Sequence, residues 1–277
     1  MSFRISEVVP IEGVVLEEKD SCLICLVTDF SDDLRKYIRA NLIKICEGQY
    51  ISEHDQLIYT YARTLREFLI RYDTKVKAPE TQKGMIGELL AHLLIGYIYN
   101  HLSPVSPYFN QEERSIKKGF DINLYDFNTD ELWIAEIKSG AVNKGQTSDE
   151  KKLGLIGEAK RDLKGRLNSS NAMLWRNALT GVRISLNESE KTEFIKSILS
   201  KNLAKAEKSE AMGVNHNVIL ISNIFNSLDD RISLESSMNL MKKIRGEKIF
   251  NKVMIFSIQK KAYLTIVDFL RQESSII

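Results

Sequence analysis

The sequence predicts an α/β fold in which helices flank a mixed central sheet. From residue 81 onward, segments with apolar residues at helical spacing alternate with short apolar segments typical of strands. Two of these strands follow each other closely enough to form an antiparallel hairpin, and the later ones enter through helical crossovers. With 43% hydrophobic and 27% charged residues, the 277-residue chain can bury a sizeable core.

The N-terminal β/α portion, residues 1–78, predicts two strands and then helices. The strands are expected around residues 13–18 and 22–29, and a helix follows that Ser31 opens, with acidic residues in its first turn. The second helix is predicted from apolar residues at helical intervals, namely Leu57, Tyr61, Leu65, Phe68 and Tyr72.

The main fold is predicted within residues 79–260. Its expected elements are a helix over residues 81–102, the two strands of the hairpin, a helix over 151–167, further helices to about 210, and strands around 215–223 and 251–259 separated by a helix. Because no internal repeat or low-complexity linker divides the chain, we expect a single domain over residues 1–277.

Charge and hydropathy exclude some classes of protein. The formal net charge of +2, from 39 basic and 37 acidic residues, is too balanced to hold nucleic acid through bulk electrostatics, so any contact must come from local patches. No segment approaches the roughly 18 uninterrupted apolar residues of a membrane span, and the N-terminus lacks the pattern of a secretory signal. We therefore expect a cytoplasmic protein with no membrane partner.

The segment KKGFDINLYDFNTDELWIAEIKSG places charged residues within the apolar hairpin. Asp121 is expected on the polar face of the first strand, and Glu136 and Lys138 share one face of the second, since residues two apart along a strand point the same way. A two-residue turn at Asn128 and Thr129 would pair residues whose numbers sum to 257. Asp121 would then lie directly opposite Glu136, with Cβ atoms about 4.5–5.5 Å apart.

Two adjacent carboxylates repel each other, so this pairing predicts a compensating cation. Mg²⁺ commonly binds one or two carboxylates and fills its remaining positions with water or phosphate oxygens. Such an ion would stabilise charge on a scissile phosphate and lower the pKa of a bound water, which Lys138 could orient or deprotonate. The alternative is a solvated ion pair, because Glu-x-Lys on a strand is common on protein surfaces.

The preceding helix supplies a third acidic residue, Glu88. The main apolar stripe of this helix lies on one side, whereas Gly84, Ala91 and Ile95 surround Glu88 on the other. A helix that is apolar on two sides is expected between layers, and the small residues would let it approach a sheet closely. Glu88 would then need a partner. The alternative is a charge that reaches solvent or caps another element.

These segments resemble the PD-(D/E)XK nuclease superfamily. Its pattern is a helix Glu, an Asp on the next strand and Glu-x-Lys on the strand after, which Glu88, Asp121, Glu136 and Lys138 match. Phe120 stands where a proline usually precedes the Asp. The resemblance implies a restriction-endonuclease-like core in which Glu88, Asp121 and Glu136 hold Mg²⁺ or Mn²⁺ and Lys138 assists the attacking water.

Over roughly residues 10–260, the order GE, GFD, EIKSG also resembles the HamA family, the nuclease subunits of the Hachiman anti-phage system. This resemblance implies a metal-dependent DNA endonuclease that a HamB-like helicase subunit restrains and that aberrant or invading DNA releases. The alternative is a non-catalytic, nuclease-like subunit that binds a helicase and DNA. Action on RNA also stays open, because metal-assisted hydrolysis needs only a phosphodiester.

The helix after the Glu-x-Lys strand often contributes a basic residue or a glutamine in this superfamily. Here the segment GEAKRDLKGRL supplies Lys160, Arg161, Lys164 and Arg166. Lys160 and Lys164 are i, i+4 neighbours, and we expect them to contact nucleic-acid phosphates. The alternative is a solvated basic face.

Overall fold

Apolar strands of the chain assemble into one mixed sheet in the computed structural model, which describes residues 8–75, 78–109 and 119–276. The strands are β1 (Val14–Lys19), β2 (Cys22–Val27), β3 (Leu102–Pro104), β4 (Ile122–Asp126), β5 (Glu131–Ala141), β6 (Asn217–Phe225) and β7 (Lys252–Lys260). They follow the order β1-β2-β7-β6-β5-β4-β3. The β2, β7, β6 and β5 strands are mutually parallel, and the outer pairs are antiparallel.

Helices cover both faces of this sheet, so the expected α/β fold with a mixed central sheet is confirmed. They are α1 (Asp32–Glu47), α2 (Gln49–His54), α3 (Tyr61–Ile70), α4 (Pro79–Ile98), α5 (Ser148–Leu167), α6 (Ala172–Ser185), α7 (Glu190–Glu207), α8 (Leu234–Gly246) and α9 (Leu264–Ile276). No helix within the described ranges has both the length and the apolar character needed to span a membrane.

The two faces of the sheet carry separate apolar cores. One face of the sheet, called the α4 face below, is covered by α1, α3, α4 and α9. The other face, called the α5 face, is covered by α5, α6, α7 and α8. Along β5, Ala135 and Ile137 point to the α4 face, whereas Leu132 and Ile134 point to the α5 face. Since β6 and β7 are covered on both sides, almost every one of their residues is buried.

The N-terminal portion is built into the same sheet, because β2 pairs in parallel with β7. Its first helix begins as expected: the Ser31 hydroxyl caps α1 by accepting a hydrogen bond from the Leu34 amide at 3.2 Å. The expectation that Leu57 belongs to the next helix is wrong. Leu57 is 98% exposed, and α3 begins only at Tyr61, where the Thr60 side chain caps the Arg63 amide.

The hairpin has the expected register but a longer turn. Asp126 pairs with Glu131 and Ile122 pairs with Ala135, so the numbers of opposite residues sum to 257. The turn spans four residues, 127–130, and the Asp126 carboxylate organises it by accepting a hydrogen bond from the Asn128 amide at 2.8 Å. The register is unchanged because a four-residue loop shares its centre with the two-residue turn that the sequence suggested.

Close packing of α4 against the sheet occurs at Gly87. A Cβ atom at this position would lie 2.0 Å from the Ser139 hydroxyl of β5 and 3.1 Å from the amide nitrogen of Asn223 in β6. Ala91 and Ile95 are buried as the sequence suggested. A Cβ atom at Gly84, in contrast, would meet no other atom of the described residues within 4 Å. The helix therefore approaches the sheet along the Gly87 side.

Candidate active site

The candidate site lies where β5 extends past its partner β4. Pairing between these strands stops at Ile122 and Ala135, so β5 from Glu136 to Ala141 pairs with β6 on one side but not with β4 on the other. Asp121 directly precedes β4, and continuing the register by one residue would place it beside Glu136. Both acids lie near Arg166 Nη1, at 2.7 Å for Glu136 Oε2 and 4.0 Å for Asp121 Oδ1. The direct strand pairing that the sequence predicts for them is not formed, because the β4–β5 pairing ends at Ile122 and Ala135.

The Asp121 carboxylate is fixed at the open edge of β5. Its Oδ2 atom accepts a hydrogen bond from the Ile137 amide at 2.7 Å, at the point where a neighbouring strand would otherwise begin to pair. Phe120 does not share the face of Ile122, as regular alternation would require. It packs edge-to-face on Trp175 on the α5 face, with the ring centroids 4.9 Å apart. Asp121 thus follows an irregular backbone and lies at the sheet edge.

The Glu136 side chain is completely buried on the α5 face. Its Oε1 atom accepts a hydrogen bond from Lys138 Nζ at 2.9 Å, and its Oε2 atom accepts one from Arg166 Nη1 at 2.7 Å. Burial, together with the negative charge of Asp121, raises the pKa of Glu136 to about 7, against the lowering effect of Arg166 and Lys138. This carboxyl group therefore changes its charge close to neutral pH.

Lys138 is held between two carboxylates. Besides Glu136, its Nζ atom contacts Asp162 Oδ2 at 2.8 Å. Burial would lower the pKa of Lys138, but the hydrogen bonds and charges of Asp162 and Glu136 outweigh that effect and raise it above its usual value. Lys138 consequently keeps its proton near neutral pH. This geometry suits a hydrogen-bond donor and does not suit a general base.

Asp162 and Arg166 reach the site from α5, one helical turn apart. Arg166 Nη1 lies 2.7 Å from Glu136 Oε2, 4.0 Å from Asp121 Oδ1 and 3.4 Å from the Gly119 carbonyl oxygen. Sequence reasoning did not identify Asp162, and it treated Arg166 only as part of a basic helix. The signal that could have found both is their i, i+4 spacing on the helix after Glu-x-Lys. The candidate site is defined below as Asp121, Glu136, Lys138, Asp162 and Arg166.

Lys160 and Lys164 lie on the other flank of α5. At 100° per residue, they point roughly 160–200° away from Asp162 around the helix axis. Lys160 Nζ is paired with Glu247 Oε1 at 2.6 Å, whereas Lys164 is exposed. The structure therefore does not bring these two lysines to the candidate site, and their contact with nucleic acid stays a prediction.

Glu88 approaches from the opposite layer. It is half-buried on α4, which covers the α4 face, whereas Glu136 and Lys138 contact α5. Burial raises the pKa of Tyr108, and the negative charges of Glu88 and Asp121 raise it further, so both acids act on this one tyrosine. Tyr108 itself donates a hydrogen bond to the Met85 carbonyl at 3.0 Å.

The expected cluster of three acidic metal ligands is not assembled. Within residues 8–75, 78–109 and 119–276, no three His, Cys, Asp or Glu side chains are grouped so that they could hold a metal ion. The reason is the layering, because Glu88 comes from the α4 side and Glu136 faces α5. The Asp121 and Glu136 pair alone still fits a hard divalent cation, since Mg²⁺ needs only one or two carboxylates. A cationic nitrogen of Arg166 already lies within 4.0 Å of both carboxylates.

Comparison with known proteins adds a family match over nearly the whole chain. The family model described as HamA matches residues 7–272. No curated protein sequence matches the chain.

Proposed function

Because the chain belongs to the HamA family, which takes part in Hachiman anti-phage defence, we propose that it is the Mg²⁺-dependent DNA endonuclease of that system. In this proposal the candidate site hydrolyses phosphodiester bonds, and a partner helicase restrains the enzyme until aberrant or invading DNA is sensed. The family match supports the defence role and suggests the helicase. The chemistry of the site supports the nuclease activity.

The observation that carries the proposal is the convergence of Asp121, Glu136 and Lys138 at the open edge of β5. Asp121 precedes the first paired residue of β4 and accepts a hydrogen bond from the Ile137 amide of β5. Lys138 lies two residues beyond Glu136 and donates to its Oε1 atom. Beyond Ala135, the described part of β5 has no β4 partner at this edge. Burial and the charge of Asp121 raise the pKa of Glu136 to about 7, and a bound divalent cation would stabilise its charged form.

Four residues of the site have roles in the proposed reaction. Asp121 and Glu136 would hold Mg²⁺, which when bound supplies Lewis-acid stabilisation of the scissile phosphate. The Ile137 amide orients the Asp121 carboxylate. Protonated Lys138 would donate a hydrogen bond to a phosphate oxygen and stabilise the charge that develops there, and Asp162 fixes the position of its ammonium group. Glu88, on the α4 side, is not one of the metal ligands in this proposal, because no three described acids are grouped to hold one ion.

The order of elements around the site supports a PD-(D/E)XK core. The acid-bearing helix α4 precedes the β4/β5 hairpin, and α5 then crosses over to β6, which pairs in parallel with β5. The α4 and α5 helices lie on opposite faces of the sheet. We propose that these elements are the catalytic core and that β1, β2 and β7 extend its sheet.

Cleavage assays with the purified chain, free of any helicase, test this proposal. We expect the wild type to cut plasmid DNA with Mg²⁺ or Mn²⁺, and Lys138→Ala to lose at least about 100-fold in rate because it removes a donor to the reacting phosphate. Asp121→Asn should also be inactive. Lys252→Ala is the matched control, because Lys252 pairs with Glu131 at the opposite end of β5. An inactive wild type, or Lys138→Ala cutting as fast as the wild type, would refute the assignment.

The second candidate is a non-catalytic subunit that binds a helicase and DNA. It is favoured by the charge balance of the site, because both Glu136 oxygens already have cationic partners in the protein. Calorimetric titration with Mn²⁺ separates the two functions. Binding by the wild type that Asp121→Asn abolishes supports the nuclease, and absence of binding supports the subunit. The same cleavage assay run on RNA decides which nucleic acid is the substrate.

A further inference from the structure

We infer that Arg166 is an internal counter-ion that occupies the cation position between Asp121 and Glu136 in the resting protein, and that a divalent cation displaces it. This inference rests on the proposed function. It identifies Arg166 as a positioning residue that competes with the metal ion before substrate arrives.

The geometry around Arg166 Nη1 is that of a cation between two acids. The atom donates to Glu136 Oε2 at 2.7 Å and lies 4.0 Å from Asp121 Oδ1, and it also faces the Gly119 carbonyl oxygen at 3.4 Å. These three oxygens come from the entry to β4 and from β5. Carboxylate and carbonyl oxygens are the ligand types that hard divalent cations take. The guanidinium nitrogen therefore lies among oxygens suited to a metal ion.

Because Glu136 is buried, its ionised carboxylate needs a cationic partner such as Arg166. Its side chain has no exposed surface, and an ionised carboxylate without a partner in such a place is strongly unfavourable. Lys138 contacts Oε1 and shares its charge with Asp162, so within the part of the chain that the structure describes Arg166 alone pairs with Oε2. While Glu136 is ionised, Arg166 leaves without a large cost only when another cation takes its place, which couples its release to metal binding.

Arg166 is placed so that it can leave. It lies in the last turn of α5, and its side chain is 33% exposed, in contrast to the fully buried Glu136. A guanidinium group released from the carboxylates would remain within reach of the site edge, where it could bind a phosphate oxygen pair. Arg166 would then balance the negative charge of Asp121 and Glu136 in the absence of metal, and would contact the nucleic-acid backbone once the metal is bound.

The test is Mn²⁺ binding without nucleic acid, measured by calorimetry and by the electron paramagnetic resonance signal of free Mn²⁺. Arg166→Met keeps the aliphatic stem and removes the charge. If the position is open about one-tenth of the time in the wild type, this variant binds Mn²⁺ about tenfold more tightly. Arg166→Lys, with a shorter reach, should fall between the two. Arg39→Ala is the matched control, since Arg39 pairs with Glu273 between α1 and α9.

Thermal unfolding shows whether the variant is folded and provides a second readout. Arg166→Met should melt at a lower temperature than the wild type in EDTA, because Glu136 loses a partner, and should gain more from added Mn²⁺. Arg39→Ala should show the wild-type response to Mn²⁺.

The outcomes distinguish this inference from the proposed function. If the wild type binds Mn²⁺ and Arg166→Met binds equally or more weakly, Arg166 supports the site and does not compete for it, while the nuclease proposal stands. If neither protein binds Mn²⁺ and Glu136→Gln changes nothing, both the inference and the metal-dependent function are overturned.

Discussion

Burial strongly raises the pKa of the Glu136 carboxyl in the candidate site. Its pKa rises from 4.5 to about 7 because the side chain is removed from water and lies beside Asp121. Since the native state holds this proton more tightly than the unfolded chain, Glu136 contributes stability that is fully present below pH 4.5. That contribution is lost as the pH rises through about 7.

Glu136→Gln should remove this pH dependence. In EDTA, we expect the variant to resemble the wild type near pH 5, where the carboxyl is protonated. It should be more stable near pH 8, by at most on the order of 3 kcal/mol. Denaturant unfolding at both pH values measures the difference. Equal effects at the two pH values would show that Glu136 does not titrate in this range.

At the scale of elements, α4 and β5 meet closely at Gly87, next to Glu88. Gly87→Ala would place a Cβ atom 2.0 Å from the Ser139 hydroxyl, so the helix or the strand must shift. We expect a loss of about 1–3 kcal/mol in the free energy of unfolding, as for other overpacked core positions. Denaturant unfolding measures it.

Gly84→Ala is the control for this prediction, on the same helix and with the same chemical change. Among the described residues nothing lies within 4 Å of the added methyl group, so only helix propensity acts. The variant should therefore gain about 0.5–1 kcal/mol. A loss at Gly84 similar to that at Gly87 would mean that backbone effects, and not the contact with Ser139, decide the outcome.

Strands and helices that leave a pattern in a short stretch of sequence could be predicted. Contacts between elements far apart in the sequence could not. The register of the β4–β5 hairpin follows from alternation along two neighbouring strands, and it held for Ile122 to Asp126 even though the turn is longer than expected. It did not extend to Asp121, whose backbone is irregular. The rotation of α5 relative to the sheet has no local signature. It brings Arg166 to Glu136 and turns Lys160 toward Glu247. The layering that separates Glu88 from Glu136 likewise depends on the whole sheet.

At the scale of the whole molecule, the N-terminal portion is a structural part of the sheet that carries the candidate site. The β2 strand lies between β1 and β7, and its residues from Cys22 to Val27 are buried on both faces. The N-terminal and C-terminal helices also meet, through the ion pair of Arg39 with Glu273. Sequence reasoning correctly expected strands here, but it could not show that they pair with the last strand of the chain.

A chain restricted to residues 79–277 should therefore not fold independently. Removal of β1 and β2 exposes the edge of β7, and removal of α1 and α3 uncovers apolar surface on the α4 face. We expect this fragment to aggregate or to lack a cooperative melting transition, whereas the full chain should unfold in a single transition. Circular dichroism melting and size-exclusion chromatography measure both properties. A soluble monomeric fragment that melts cooperatively and binds Mn²⁺ like the full chain would show that the N-terminal portion is an appendage to an autonomous core.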